Sequence, residues 1–333
     1  MSLLNAEPIY KPFHYPWAYE AWLVQQKLHW LPEDISLADD VKDWQGKLSP
    51  AEKNLLTQIF RFFTQSDIEV NNCYMRKYAG VFQPTEVIMM LAAFANMETI
   101  HVAAYAYLLD TIGMPEVEYS AFKNYKEMKD KYDYMQQWSM KTPTQMATTM
   151  AVFGAFTEGL QLFASFVMLM NFPRFNKMKG MGQIVTYSVR DETLHTECII
   201  RLHNVFLKEN PEVKTPEYDN SLLEICKSIV KHEDAFIDLS FEMGSIDGLT
   251  ADEVKQYIRY IADRRLQQLN LKPYFGMKKN PLPWMDEMMN AVEFTNFFEN
   301  RATEYARGAT TGTWEEAFQE LLDNPAPEPR PNM

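Results

Sequence analysis

The sequence predicts an all-α protein: a four-helix bundle core with additional helices around it. Three observations carry that prediction. Apolar residues recur at the helical period over long stretches, roughly 50–79, 84–112, 143–171 and 181–208. Only 12 glycines punctuate 333 residues, too few for the many tight turns of an all-β fold. No Val-, Ile- and Thr-rich alternation bounded by turn dipeptides stands out, so strands are at most minor.

Each helix can be justified in turn. Before the first bundle helix, "SPAE" (49–52) supplies Ser49 as N-cap, Pro50 in the first turn and Glu52 to close a capping box. "TPTQ" (142–145) repeats the arrangement before the third, with Thr142, Pro143 and Gln145, and "TADE" (250–253) does so again with Thr250 and Glu253. Further helices are predicted near 119–139, 219–243, 250–270 and 284–300. The longest apolar run, residues 147–170, has a membrane-spanning length but carries Glu158 near its centre. A carboxylate there would be costly in lipid, so a buried core helix is predicted, in which Glu158 needs a partner. No linker divides residues 1–300, which are expected to form one domain. Residues 301–333 end in the Pro-rich "LLDNPAPEPRPNM" and are expected to be a flexible C-terminal tail.

Bulk properties narrow the function. A net charge of −13 argues against a nucleic-acid surface, which needs a basic face. Cys73, Cys198 and Cys226 are far apart with no C-x-x-C, which disfavours a disulfide framework or zinc ribbon and points to a reducing cytoplasm. The N-terminus lacks the basic start and apolar run of a signal peptide. No Gly-rich phosphate loop appears, so no nucleotide cofactor is expected.

Chemistry enters through spacing. "METIH" and "DETLH" each carry Glu-x-x-His, as Glu98/His101 and Glu192/His195, and no other His has Glu three residues before it. On a helix, positions three apart share a face. Either pair alone is ordinary. Each, however, follows a carboxylate in the preceding apolar helix: Asp67 lies 31 residues before Glu98, and Glu158 lies 34 before Glu192. Those separations fit one long helix, a turn and an antiparallel return that brings both acids to the same height. Acid, then Glu-x-x-His, twice over, is the ligand set of a ferritin-like dimetal-carboxylate bundle. Four carboxylates offset the charge of two cations, and one neutral imidazole per metal leaves positions open for water or O2. Glu69 is a rival to Asp67. Tyr105, one turn after His101, is either a packing residue or a phenol placed for oxidation beside the metals.

The motifs "TQSDIEV", "METIHVAAYAYLL", "FTEGLQLF" and "VRDETLH", at these separations, resemble the small, radical-generating subunit of class I ribonucleotide reductase, over about residues 15–305. The resemblance implies that Asp67, Glu98 and His101 bind one metal and Glu158, Glu192 and His195 the other, with Glu98 and Glu192 bridging. It places Tyr105 at the radical tyrosine. Asp191 matches the acid that orients a ligating His, Trp30 the tryptophan of the electron route between subunits, and Tyr305 the C-terminal relay tyrosine. It further implies a homodimer, a separate large subunit reached through the C-terminal tail, and reduction of nucleoside di- or triphosphates. Iron is expected first, with Mn/Mn or Mn/Fe as alternatives, and an activating flavoprotein as an optional partner. Neither nucleic acid nor membrane is expected as a partner. Phe166 fits the apolar surroundings usual near the radical. Leu162 is smaller than the usual Phe, and Ser188 is polar and faces either away from the site or into it. Two other readings stay open: a dimetal oxidase of the same bundle acting on a lipid-like ligand, and an iron-storage protein.

Overall fold

The computed structural model describes residues 2–6 and 8–288. Four long helices make the bundle. The first is α3 (Pro50–Asn72), which continues as a π-helical turn over Cys73–Tyr78, and the second is α4 (Thr85–Ile112). A third continuous helix runs from α6 (Pro143–Met150) through a π-helical stretch, Ala151–Gln161, into α7 (Leu162–Arg174); α8 (Lys179–Glu209) is the fourth. Packing closes the ring: α3 lies on α4, α4 on α8, α8 on the π stretch and α7, and α7 on α3.

The other helices brace this ring. Across α4 and α8 lies α1 (Pro16–Lys27), followed by the short α2 (Ala38–Lys42). On the opposite side are α5 (Lys126–Gln136), α9 (Pro216–Ser240) and α10 (Ala251–Gln268). Among the described residues there is no β-strand, only an isolated bridge between Ile246 and Leu249. Residues Met1–Met285 cluster as one compact unit. The tail predicted from residue 301 and most of the helix predicted at 284–300 lie outside the described residues.

The helix starts work as the residues imply. Ser49 Oγ accepts from the Glu52 N–H while the Glu52 carboxylate accepts from the Ser49 N–H, and Thr250 and Glu253 repeat the exchange. At 142–145 only half of it forms. Thr142 Oγ1 accepts from Gln145 N–H, but the Gln145 side chain reaches Lys141 N–H instead of the cap residue. The helix predicted at 119–139 is split: a 3-10 segment, Glu116–Asn124, precedes α5, and Tyr125 between them is extended. Among the described residues, two apolar helices are long enough to cross a membrane. That over Pro143–Arg174 has its apolar window wholly buried, as expected of a core helix around Glu158.

The π stretch packs very close to its neighbours. A Cβ on Gly154 would sit 2.4 Å from Ile199 Cγ2 of α8, and one on Gly159 would meet Arg265 Nε at 2.6 Å. Only glycine lets this backbone lie so near its neighbours. The π register leaves carbonyls out of the ordinary ladder, and Arg265 Nε donates to Gly159 O at 2.8 Å. Gly154→Ala is therefore expected to destabilise the protein by about 1–3 kcal/mol through overpacking. Calorimetry of the metal-free variant should read this as a melting temperature several degrees lower; an unchanged melt would mean that α8 yields freely.

Candidate metal centre

All six predicted ligands are buried at 1% exposure or less, in the middle of the bundle. Asp67 comes from α3, Glu98 and His101 from α4, Glu158 from the π stretch, and Glu192 and His195 from α8. Ligand atoms of Glu98, Glu158, Glu192 and His195 all lie within 4.8 Å of one another. His195 Nδ1 is 3.1 Å from Glu98 Oε1 and 3.5 Å from Glu158 Oε1. His101 Nδ1 is 3.2 Å from Glu192 Oε1 and 3.6 Å from Glu98 Oε2. Glu192 thus faces both imidazoles, its other oxygen lying 3.7 Å from His195 Nδ1. The rival acid Glu69 is half-buried and engaged by Gln65 instead.

These groups are short of positive charge. Asp67 Oδ2, both oxygens of Glu98, both of Glu192, and His195 Nδ1 have no hydrogen-bond partner among the described residues. Buried polar atoms are rarely left so. Burial, then the Glu98 carboxylate, raises Asp67 well above the usual carboxylate range. Burial pushes Glu158 up to about 8, with Glu192 and Glu98 adding to the shift against the opposing His195. Burial alone would lower the imidazoles. Yet the Asp191 carboxylate beside His101 and the Glu158 carboxylate beside His195, with Glu192 and Glu98 acting on both, hold them well above the histidine range. Four crowded acids and two imidazoles, several donor atoms unsatisfied, are what a pair of divalent cations would complete. The donor set fits the two metal ions.

Around the ligands lies a network that fixes their orientation. Trp30 Nε1 donates to Asp191 Oδ2 at 2.9 Å, and His101 Nε2 lies 3.3 Å from the same oxygen. Burial works against the Asp191 carboxylate, but His101 and Arg190 outweigh it and hold it below the usual range. An ionised Asp191 only accepts, so His101 carries its proton on Nε2 and turns Nδ1 to the cluster. Gln25 does the same for the other imidazole. Its amide nitrogen donates to Asp191 Oδ1 at 3.3 Å, and its oxygen lies 3.1 Å from His195 Nε2.

Tyr105 is buried, its ring edge-on to Phe63 at 4.8 Å. Phe63 in turn meets Phe166 at 5.5 Å. Ser188 faces inward: the Tyr105 hydroxyl donates to Ser188 Oγ at 3.1 Å, and the Ser188 hydroxyl donates in turn to Ile184 O at 3.1 Å. Burial, with the Asp67 carboxylate adding to it, raises the Tyr105 phenol, which keeps its proton. Leu162 is also buried. Tyr305 lies outside the described residues.

Two residues at the site were not anticipated. Gln25 sits on a helix that the apolar pattern does not single out, and nothing nearby marks it. Tyr74, whose hydroxyl donates to Glu158 Oε1 at 2.7 Å, did leave a trace: it follows Asp67 by seven residues, two turns along the same face.

Known proteins give the same picture. The family model described as "Ribonucleotide reductase, small chain" matches residues 9–281. A probable ribonucleoside-diphosphate reductase small subunit of Invertebrate iridescent virus 6 is 43% identical, over 96% of this chain and 99% of its own length. The subunit beta of Chlamydia pneumoniae is 31% identical over 88% of each chain. Among solved structures, the R2 subunit of Clostridium botulinum superposes with a TM-score of 0.79 at 22% identity, covering 87% of this chain and 94% of that one.

Proposed function

Because this chain belongs to the ribonucleotide reductase small-chain family, we propose that its buried cluster would hold two metal ions, which would supply the oxidising power for a radical stored on Tyr105 and used in ribonucleotide reduction. The chain is a small subunit of ribonucleoside-diphosphate reductase, in a family that works with a separate large subunit and forms homodimers. Its fold is the ferritin-like bundle of that family. The comparisons favour this reading over the lipid-acting oxidase and the iron store.

The observation that carries the proposal is the convergence of Glu98, Glu158, Glu192 and His195 within 4.8 Å, with Asp67 and His101 beside them. Asp67, Glu98 and His101 would hold one metal and Glu158, Glu192 and His195 the other, and Glu98 and Glu192 each lie beside both imidazoles. When bound, the metals supply the oxidising power that removes an electron from a phenol. The chain's own residues do the rest. Phe63 and Phe166 keep water from Tyr105, prolonging a radical's life. Ser188 Oγ accepts the Tyr105 proton in a hydrogen bond and fixes the direction of the hydroxyl.

Trp30, Asp191 and His101 form a continuous hydrogen-bonded series, which supports a role as the electron route from the cluster toward the large subunit. Tyr305 is assigned to continue that route, and the tail beyond residue 301 to dock on the large subunit. Carboxylate and imidazole ligands suit iron and manganese nearly equally. Iron is the first assignment, with Mn/Mn or Mn/Fe as alternatives. A solved structural neighbour, the Streptococcus sanguinis protein, is a dimanganese(II) form. An activating flavoprotein would supply the oxidant if O2 does not act directly. The cytoplasm is the assigned compartment.

Removing residues 301–333 tests the partner assignment. The truncated chain should keep its metals and radical but lose reduction of nucleoside diphosphates with the large subunit. Full activity without the tail would place docking elsewhere. Electron paramagnetic resonance after metal loading and oxidation tests the radical itself. No tyrosyl or metal-centred signal at full metal occupancy would sink the proposal.

A further inference from the structure

Glu158 differs from the other central acids. The oxygens of Glu98 and Glu192 have no hydrogen-bond partner among the described residues, whereas Glu158 Oε1 accepts from the Tyr74 hydroxyl at 2.7 Å. Tyr74 lies on the π-helical turn Cys73–Tyr78 and is 2% exposed. Aromatic neighbours clamp its ring edge-on: Tyr78 at 5.6 Å, Phe94 at 6.1 Å and the imidazole of His195 at 6.0 Å. The phenol therefore meets Glu158 in a fixed direction. The backbone beneath Glu158 is pinned as well, by Arg265 on Gly159 O.

The two buried phenols thus differ in what they hold. Tyr105 gives its hydrogen to a serine, and Tyr74 gives its own to a ligand. We propose that Tyr74 is a positioning residue of the second metal site: it fixes the plane in which Glu158 presents its oxygens, and so sets the affinity and spectroscopic character of the cation held with Glu192 and His195. This rests on the dinuclear reading above. Outer hydrogen bonds to ligating groups typically change metal affinity by about 10–100-fold when removed, and Tyr74 is the outer donor to this carboxylate.

The test is Mn(II) titration of the full-length metal-free protein, followed by calorimetry and electron paramagnetic resonance. Tyr74→Phe keeps the ring and removes the hydroxyl. Tyr78→Phe is the control, because its hydroxyl reaches Thr149 O at 3.4 Å and the Cys73 thiol, not one of the assigned ligands. Wild type and Tyr78→Phe are expected to bind two Mn(II) and to show the signal of a coupled pair. Tyr74→Phe should bind the first ion as wild type does, bind the second about tenfold or more weakly, and show an altered coupled signal. Two ions bound with wild-type affinities and a wild-type spectrum would overturn the positioning role while leaving the dinuclear reading intact. If wild type itself binds fewer than two ions, the dinuclear reading fails first.

Should Tyr74→Phe not fold, a fluorotyrosine at position 74 keeps both ring and donor. Its fluorine resonance, followed with diamagnetic Zn(II), should move mainly as the second equivalent binds. An unmoved resonance overturns the proposal.

Discussion

Tyr105→Phe should retain two metal ions per chain and lose reductase activity with the large subunit. The geometry separates the two properties. The Tyr105 hydroxyl donates to Ser188, not to a ligand, and its ring is held by Phe63 through contacts that phenylalanine keeps. Nothing that holds the cations is removed. What disappears is the O–H bond whose breaking would leave the phenoxyl proposed at Tyr105. The expected fall in turnover is at least about a thousandfold, roughly 4 kcal/mol at 1.36 kcal/mol per tenfold. Metal analysis should give unchanged content, and the tyrosyl signal should be absent. Retained turnover would move the redox role to another residue.

Glu192→Ala is the second large effect, and it is far larger with metal than without. Glu192 faces His101 at 3.2 Å and His195 at 3.7 Å, so both halves of the centre depend on it. In the metal-free protein it is one of four acids crowded in a dry interior, with neither oxygen satisfied. Removing it relieves repulsion from the neighbouring acids but also takes a carboxylate partner from both imidazoles. The metal-free variant is therefore expected to melt somewhat lower than wild type. Metal should widen the gap. A site filled at a hundred times its dissociation constant stabilises the native state by about 2.7 kcal/mol, and wild type has two sites to fill. Scanning calorimetry with and without Mn(II) should show a large upward shift for wild type and little for the variant. A variant stabilised by metal as strongly as wild type would remove Glu192 from the ligand set.

Much of this was readable in the sequence, because the ligand pattern is local. Glu98 with His101 and Glu192 with His195 share a helix face by spacing alone, and 31 or 34 residues measure one helix and its return. The capping boxes at Ser49 and Thr250 are likewise three-residue facts. Ser188 could have been placed too: it precedes Glu192 by one turn, which puts both on one face. Other features depend on groups far apart in the chain. Gln25 meets Asp191 and His195 across more than 160 residues, and no spacing rule reaches that far. In the π-helical stretch at Glu158, Gly154 approaches Ile199 of α8 too closely for any Cβ, which is a property of packing. The break at Tyr125 has a similar origin. Arg61 ties the Tyr125 hydroxyl and the Glu118 carboxylate to α3, outside any single-helix pattern.

Gln25 has one carboxamide, and both of its ends are taken. It is a common strut between the acid behind one imidazole and the ring of the other. The two halves of the centre are consequently not adjustable one at a time: whatever shifts Asp191, including a change at Trp30, pulls on His195 through the same planar group. A change at Trp30 should therefore be felt at His195 as well as at His101.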